Sequence, residues 1–329
     1  MLESVPRTVA RRQIEKLGSM GYRLYSGFEA EFIVVDSTSM KPVFEGVDLL
    51  TDLVLSRNSN WLFELERSLQ ISGVDVQAFH AEHLPGQFEC CMQPKYGIDT
   101  FDNMILFKQA CKEILPRHGY TPTFMTRPFL ECDGSSGFHF NHSLWDNSGQ
   151  SLFYDASKPD KMTDVMRYWI GGIMKHIKAL LVLCSPTPNC FRRLHEFHTP
   201  DREDWDINNR RASIRVRNNS ERCCLVESRL PSAACNPYLV AASTIAAGID
   251  GIENKIEPPA RGISDENPKL PSFEEALTAL ENDTQLVERL GGEFVKWWLT
   301  VKRDNEQHLL AENTQHDFEI ERNQYFEFL

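Results

Sequence analysis

Residues 27–36, Gly-Phe-Glu-Ala-Glu-Phe-Ile-Val-Val-Asp, are the stretch that most constrains how this chain folds. Successive side chains of a β-strand point to opposite faces, so Glu29 and Glu31 share one face and the apolar side chains beside them share the other. The apolar face must be buried in a core. The two carboxylates repel each other, so the stretch is either an edge strand with solvated glutamates or one wall of a site that holds a cation or fixed positive groups.

The composition narrows the class of protein. With 41% hydrophobic and 25% charged residues, a chain of 329 residues has the make-up of an ordinary globular protein. Its formal net charge of −12 argues against nucleic acid or anionic lipid as a partner. The N-terminal sequence has no apolar signal region, and no run reaches the ~18 apolar residues of a membrane span. We therefore expect a cytoplasmic protein without a membrane span.

The nine cysteines predict buried, reduced thiols. None of them forms a C-x-x-C pair, and several lie in strand-like apolar runs, where a free thiol behaves as a small hydrophobic side chain. A zinc site or a set of disulfides is the alternative, to which the odd count and the adjacent pairs are poorly suited.

Hydrophobic periodicity predicts an α+β fold. Helices are predicted at residues 6–21, 60–72, 100–117, 161–183 and 236–254, and from residue 273 onward. Strands are predicted at residues 27–36, 73–83, 87–92, 120–129, 138–144, 212–216 and 224–230. The simplest architecture is one domain of antiparallel strands flanked by helices over residues 1–329, of which residues 256–329 form the C-terminal helical part.

Acidic and imidazole side chains recur on the polar faces of these strands. They are Glu29, Glu31, Glu82, Glu89, His139 and Glu227. Carboxylates with one imidazole suit Mg²⁺ or Mn²⁺ better than zinc, and this many ligands suits two ions. Spacing alone leaves open whether the strands converge.

Basic residues are concentrated between residues 192 and 229 of this acidic chain. Such a density implies a focused positive site rather than a solvated face. The candidates for binding an anion are Arg193, Arg210, Arg215 and Arg229. Together with two metal ions, these guanidinium groups would bind the phosphates of a nucleotide, a transferring phosphoryl group and a carboxylate substrate.

Five ordered motifs resemble the catalytic domain of the class I glutamine synthetase family over nearly the whole chain. They are G-x-E-x-E-F at 27–32, H-x-E…P-G-Q-x-E at 80–89, G-[MF]-H at 137–139, N-R-x-A-S-I-R at 209–215 and E-x-R-x-P…A-x-N-P-Y at 227–238. The resemblance implies a glutamine synthetase/guanido kinase-like fold, in which antiparallel strands form a curved sheet flanked by helices. It also implies an ATP-dependent reaction, in which glutamate is phosphorylated on its side-chain carboxyl and ammonia then displaces phosphate.

The resemblance assigns roles to the candidate residues. The first metal site would be Glu31, Glu82 and Glu89, and the second metal site Glu29, His139 and Glu227. Arg193 and Arg229 would hold the glutamate carboxylate or the phosphoryl intermediate, Arg210 the γ-phosphate and Arg215 the other nucleotide phosphates.

Departures from the family pattern bear on activity. The family flap, R-L-x-P-G-[FY]-E-A-P, lacks its Pro-Gly turn in residues 193–200, and His198 replaces the glutamate that closes the site and helps deprotonate ammonium. Leu225 replaces a phosphate-binding arginine, which predicts weakened ATP binding, and Asn141 replaces a second histidine. Because a histidine is not a fixed negative charge for ammonium, these changes predict loss of the amide-forming step and vestigial arginines.

These departures most resemble a glutamine synthetase-like protein of the vertebrate lens. That resemblance implies an inactive homo-oligomer, a dodecamer of two stacked hexameric rings, with a structural or chaperone-like role and intermediate-filament proteins as partners. The N-terminal β-grasp domain of the family is not expected within residues 1–329. An active ligase for ammonia or a bulkier amine is the alternative, and a regulatory module that binds a nucleotide or amino acid is a third.

Overall fold

The structure is a computed structural model that describes residues 3–46, 51–132, 134–194, 199–306 and 315–329. Its strands are β1 (Arg23–Asp36), β2 (Val76–Ala81), β3 (Gln87–Met92), β4 (Lys95–Tyr96), β5 (Tyr120–Thr123), β6 (Phe138–Trp145), β7 (Trp205–Ile207), β8 (Ile214–Asn218) and β9 (Cys224–Ser228). Its helices are α1 (Pro6–Ser19), α2 (Asp52–Arg57), α3 (Ser59–Ile71), α4 (Asp99–Ile114), α5 (Asp164–Cys184), α6 (Pro188–Phe191), α7 (Pro237–Asn254), α8 (Phe273–Asn282), α9 (Thr284–Leu290), α10 (Gly292–Glu306) and α11 (Gln315–Tyr325).

One mixed sheet organises the fold, with strand order β2-β3-β1-β6-β9-β8-β7 and with β4 and β5 also paired to β1. The long strand β1 pairs with β6 over residues 23–30 and with β3 over residues 29–33, so it lies inside the sheet. The predicted strands pair antiparallel, whereas β7, a short strand that was not predicted, runs parallel to β8. The chain leaves β7 through Asn208, whose φ of 56° turns it back before β8.

The predicted strand between Tyr120 and Phe129 is shorter in the structure, which ends β5 at Thr123. Directly after β5, the backbone N–H of Phe124 donates to the carbonyl oxygen of Leu329, the C-terminal residue, at 3.3 Å rather than to a neighbouring strand. The predicted strand 73–83 is likewise trimmed to Val76–Ala81, which leaves Glu82 just beyond its end. The helical prediction from residue 273 onward is confirmed by α8, α9, α10 and α11.

The apolar face of β1 is buried, as predicted. Phe28 stacks on Phe140 of β6 at a ring-centroid distance of 4.8 Å, and Phe32 stacks on Phe88 of β3 at 6.0 Å. Helix α4 covers this face, since its Phe107 meets Phe32 edge-on at 5.7 Å. Aromatic side chains therefore fix β3, β1 and β6 against one another from the core side.

A buried histidine braces β6 against α5. Nε2 of His142 accepts a hydrogen bond from the indole N–H of Trp169 at 2.9 Å, and its ring stacks on Phe140. Burial lowers the pKa of His142 to about 4, so the imidazole is neutral and provides the acceptor that Trp169 requires. This pair belongs to the core, on the opposite side of the sheet from the glutamates.

Helices α5 and α7 approach closely through glycines. A Cβ atom on Gly172 would lie 2.1 Å from the carbonyl oxygen of Ala247, and one on Gly251 would lie 1.9 Å from that of Tyr168. Backbone atoms therefore occupy the space that any larger side chain needs. Among the helices that the structure describes, none is long and apolar enough to cross a bilayer.

We predict that Gly251→Ala destabilises the protein by about 3 kcal/mol, because the added methyl group forces two packed helices apart. The matched control is Gly18→Ala in α1, where the new methyl group meets nothing within 4 Å. That control should raise stability by roughly 0.5–1 kcal/mol, the cost of a helical glycine. Thermal unfolding of both variants is the measurement, and equal melting temperatures would contradict the close packing of α5 on α7.

Candidate metal centre

The strand register gathers the predicted ligands on the polar face of the sheet. Glu29 of β1 lies directly opposite His139 of β6, and Glu31 lies directly opposite Glu89 of β3. Glu227 of β9 enters the same face because it pairs with Asn141 of β6. Side chains directly opposite each other in antiparallel strands share a face, with Cβ atoms about 4.5–5.5 Å apart.

The residues predicted for the second metal site form a compact cluster. The ligand atoms of Glu29, His139 and Glu227 all lie within 4.8 Å of one another. Nδ1 of His139 is 3.3 Å from the carboxylate of Glu29, whose other oxygen accepts a hydrogen bond from Asn141 at 3.1 Å. Although burial opposes ionisation, the hydrogen bond and charge of His139 lower the pKa of Glu29 to about 2, so this carboxylate is ionised at neutral pH.

Two arginines hold Glu227. Its Oε1 accepts a hydrogen bond from Nη1 of Arg229 at 2.7 Å, and its Oε2 accepts one from Nη1 of Arg215 at 2.8 Å. The carboxylate is fully buried, so charge-assisted bonds of this kind stabilise its negative charge. The charge of Glu227 is therefore already balanced by protein groups.

The predicted first metal site is less compact, because the ligand atoms of Glu31, Glu82 and Glu89 are not among the groups of described residues that lie within 4.8 Å of one another. The carboxylate of Glu31 accepts hydrogen bonds from the backbone N–H of Gly137 at 2.7 Å and from Nε2 of Gln87 at 3.0 Å. Burial nevertheless raises the pKa of Glu31 above its usual value. Burial and then the charges of Glu31 and Glu89 raise the pKa of Glu82 to about 8. Several carboxylates close together have the donor set that suits a hard divalent cation.

His80 lies between two of these carboxylates, in a position to which the sequence motif gave no role. Its Nδ1 is 3.3 Å from Glu82, and its Nε2 is 3.4 Å from Glu89. The hydrogen bond to Glu89 is the main cause that raises the pKa of His80 to about 9. The H-x-E spacing was the available signal, because alternate residues near a strand end share a face.

The other candidate arginines differ in exposure. Arg193 is buried, and its Nη1 donates to the carbonyl oxygens of Arg229 at 3.0 Å and Pro231 at 3.4 Å. Arg193 therefore holds the segment that follows β9. Arg210 is exposed between β7 and β8 and forms no ion pair within the part of the chain that the structure describes.

Arg217 lies in the basic stretch between residues 192 and 229, but the sequence analysis assigned it no individual role. It lies directly opposite Leu225 in the β8–β9 pair. Two residues away along both strands, Arg215 lies opposite Glu227, so all four side chains share the polar face. Arg217 is half-buried and forms no ion pair among the described residues. The guanidinium group of Arg217 on β8 therefore lies opposite Leu225 on β9, the position at which the family pattern has an arginine.

The flap lies partly outside the described residues. His198, on which the prediction of lost activity depends, belongs to residues 195–198, which the structure does not describe. Just beyond them, Oγ1 of Thr199 donates to the carbonyl oxygen of Arg193 at 2.8 Å, which ties the two sides of this segment together.

Comparison with known proteins confirms the predicted fold and family. A family described as "Glutamine synthetase, catalytic domain" matches residues 3–323. The chain is 35% identical to a glutamine synthetase of Thermotoga maritima over 88% of its length and 70% of that protein. It is 31% identical to lengsin of Rattus norvegicus over 91% of its length, but this covers only 54% of lengsin. It is 30% identical to a glutamate–isopropylamine ligase of Pseudomonas over 77% of its length and 57% of that ligase.

Solved structures give the same result. A GmaS/ADP complex superposes with a TM-score of 0.86 and 26% identity over 97% of this chain and 77% of that one. A glutamine synthase homologue superposes with a TM-score of 0.87 over 98% of this chain and 76% of that one, and at 22% identity it supports the fold alone.

We predict that the carboxylate cluster destabilises the metal-free protein as the pH rises. The pKa values of Glu82 and His80 are both raised on folding, so the folded state binds more protons than the unfolded state, and stability falls between about pH 4.5 and 9. Glu82→Gln should therefore raise the melting temperature of chelator-treated protein at pH 9 by roughly 2–4 °C, the effect of ~1 kcal/mol, and leave it unchanged at pH 5.

The matched control is Glu319→Gln, which removes an exposed carboxylate of α11. It should not change the melting temperature at either pH. In the unmodified protein, millimolar Mg²⁺ should restore the stability lost at pH 9, because a bound cation replaces the missing positive charge. If the melting temperatures of Glu82→Gln and the unmodified protein differ by the same amount at pH 5 and pH 9, this account is contradicted.

Proposed function

Because the chain belongs to the glutamine synthetase family, whose catalytic domain matches residues 3–323, we propose that it catalyses the ATP-dependent joining of glutamate to ammonia or a larger amine. The observation that carries the proposal is the compact group formed by Glu29, His139 and Glu227, beside a strand that bears Arg215 and Arg217 on the same face. Carboxylates for cations next to guanidinium groups for phosphates are what phosphoryl transfer to a carboxylate requires.

We assign the ligands as the sequence analysis did. Glu31, Glu82 and Glu89 would hold one Mg²⁺ or Mn²⁺ ion, and Glu29, His139 and Glu227 would hold the other. Such ions, when bound, supply charge neutralisation to the phosphates. The excess of negative charge around Glu82 fits this assignment at the first metal site.

The reaction consists of two displacements. A side-chain carboxylate oxygen of glutamate attacks the terminal phosphorus of ATP, and the bond to ADP breaks. The amine nitrogen then attacks the activated carbonyl carbon, phosphate leaves, and the amine gives up a proton. Arg193 and Arg229 would orient the glutamate, while Arg210, Arg215 and Arg217 would bind the phosphates. The GmaS/ADP complex among the similar structures supports the nucleotide part of this proposal.

A structural role without catalysis is the second candidate, and the pairing of Glu227 with two arginines favours it. Those arginines are then occupied by a protein carboxylate rather than by substrate. In that case the protein would resemble lengsin in function, as a cytoplasmic dodecamer of two stacked hexameric rings with a chaperone-like role in the lens and intermediate-filament partners. Residues 1–329 would form one catalytic-type domain in either case, with residues 256–329 as its helical end.

The decisive experiment uses two nucleophiles. The protein in its native assembly is incubated with glutamate, Mg²⁺ and ATP, and with either ammonium or hydroxylamine, which is uncharged at neutral pH. We expect ADP and γ-glutamyl hydroxamate with hydroxylamine, because that nucleophile needs no deprotonation by the flap. If the protein forms less amide from ammonium than hydroxamate from hydroxylamine, the defect lies in the deprotonation of ammonium by the flap, residues 193–200. Absence of both products, together with no ATP binding at millimolar concentration, would favour the structural role.

We predict that Arg217→Ala weakens ATP binding by at least about 10-fold, because hydrogen bonds to a charged group contribute ~1.5–3 kcal/mol. The matched control is Arg222→Ala, which removes an exposed guanidinium in the turn before β9 and should leave ATP affinity unchanged. Calorimetric titration of Mg-ATP is the measurement. Equal affinities for the two variants would exclude Arg217 from the nucleotide site.

A further inference from the structure

A group of three different metal-ligating side chains lies at the β2–β3 edge of the site. The ligand atoms of His80, Glu89 and Cys91 all fall within 4.8 Å of one another. Glu89 and Cys91 alternate along β3, so both point to the polar face, and His80 lies directly opposite Glu89 on β2. None of the predicted metal sites includes the thiol of Cys91.

The distances in this group suit a tetrahedral ion. Nε2 of His80 is 3.4 Å from Oε1 of Glu89, and Sγ of Cys91 is 3.2 Å from the same oxygen. Ligand atoms bound at about 2.0–2.3 Å around a tetrahedral zinc ion are about 3.3–3.8 Å apart. The two distances to Glu89 are thus close to those around such an ion, and the ligand atoms of His80 and Cys91 lie within 4.8 Å of each other.

The surroundings of His80 provide a second, independent observation. Its other ring nitrogen, Nδ1, faces Oε1 of Glu82 at 3.3 Å. Metal-binding histidines characteristically donate their second N–H to a carboxylate, which orients the ring and leaves the first nitrogen free for the metal. Glu82 is placed to do this while Nε2 of His80 faces Glu89 and Cys91.

The chemistry of the three ligands selects the metal. A thiolate with an imidazole and a carboxylate suits zinc or another borderline metal, whereas Mg²⁺ prefers oxygen ligands alone. Zinc binds a thiolate rather than a thiol, so Cys91 must lose its proton when the ion binds. On binding, that proton and any proton on Nε2 of His80 pass to solvent.

We propose that Nε2 of His80, the carboxylate of Glu89 and the thiolate of Cys91 form a zinc site. This inference rests on the cluster itself and does not depend on ligase activity. Because Glu89 is also assigned to the first metal site, zinc competes with Mg²⁺ for this carboxylate. The neighbouring Cys90 points into the core on the opposite face of β3 and takes no part.

The test measures the thiolate bond directly, in the absence of ATP. Titration of Co²⁺ into the chelator-treated full chain should produce, at one equivalent, a near-ultraviolet charge-transfer band that a thiolate ligand gives, and Zn²⁺ should abolish it. Cys91→Ser should remove the band and weaken zinc binding by about 100-fold or more, as expected for loss of a direct ligand. The matched control Cys223→Ser, at an exposed thiol, should retain both.

A measurement on the unmodified protein covers the case in which Cys91→Ser fails to fold. Zn²⁺ should slow alkylation of Cys91 by at least about 10-fold, Mg²⁺ should not, and Cys223 should react at the same rate in every case. Absence of the cobalt band in unmodified protein, its persistence in folded Cys91→Ser, or equal alkylation of Cys91 with and without Zn²⁺ would each overturn the proposal.

Discussion

The pairing of β1 with a strand on each side is the constraint on which the rest of the structure depends. Because β3 and β6 are both antiparallel to β1, Glu31 is placed opposite Glu89 and Glu29 opposite His139. The same pairing stacks Phe28 and Phe32 on aromatic neighbours in the core. A shift of one residue in either register would move these carboxylates into the core and the aromatic rings into the site, so the core and the site determine each other's position.

The two halves of the site balance their charge differently. Both oxygens of Glu227 accept hydrogen bonds from guanidinium groups, whereas Glu31 accepts hydrogen bonds from an amide and a backbone N–H, and Glu82 and Glu89 flank His80. Concentrated negative charge without a counter-ion destabilises a fold, and natural proteins retain it mainly where a ligand compensates for it. A bound cation would supply that compensation in a ligase and in a catalytically inactive relative alike.

Much of the fold followed from alternation and periodicity, since the Glu29/Glu31 face, the aromatic face and the long helices are local patterns. The parallel placement of β7 on β8 did not, because strand direction depends on how the connecting loop folds. In the candidate site, the clustering of Glu29, His139 and Glu227 agrees with the motif-based prediction. The role of Arg217 was not predicted, because its significance lies in being opposite Leu225, and register between distant segments is a tertiary property.

One strand, β1, carries a carboxylate for each predicted metal site, with only Ala30 between Glu29 and Glu31. An ion at either position therefore acts on the other through a rigid backbone and a short electrostatic path. By thermodynamic linkage, if one bound ion changes the affinity for the other by some factor, the second ion changes the affinity for the first by the same factor. Two ions bound at these positions would therefore form a single coupled binding unit.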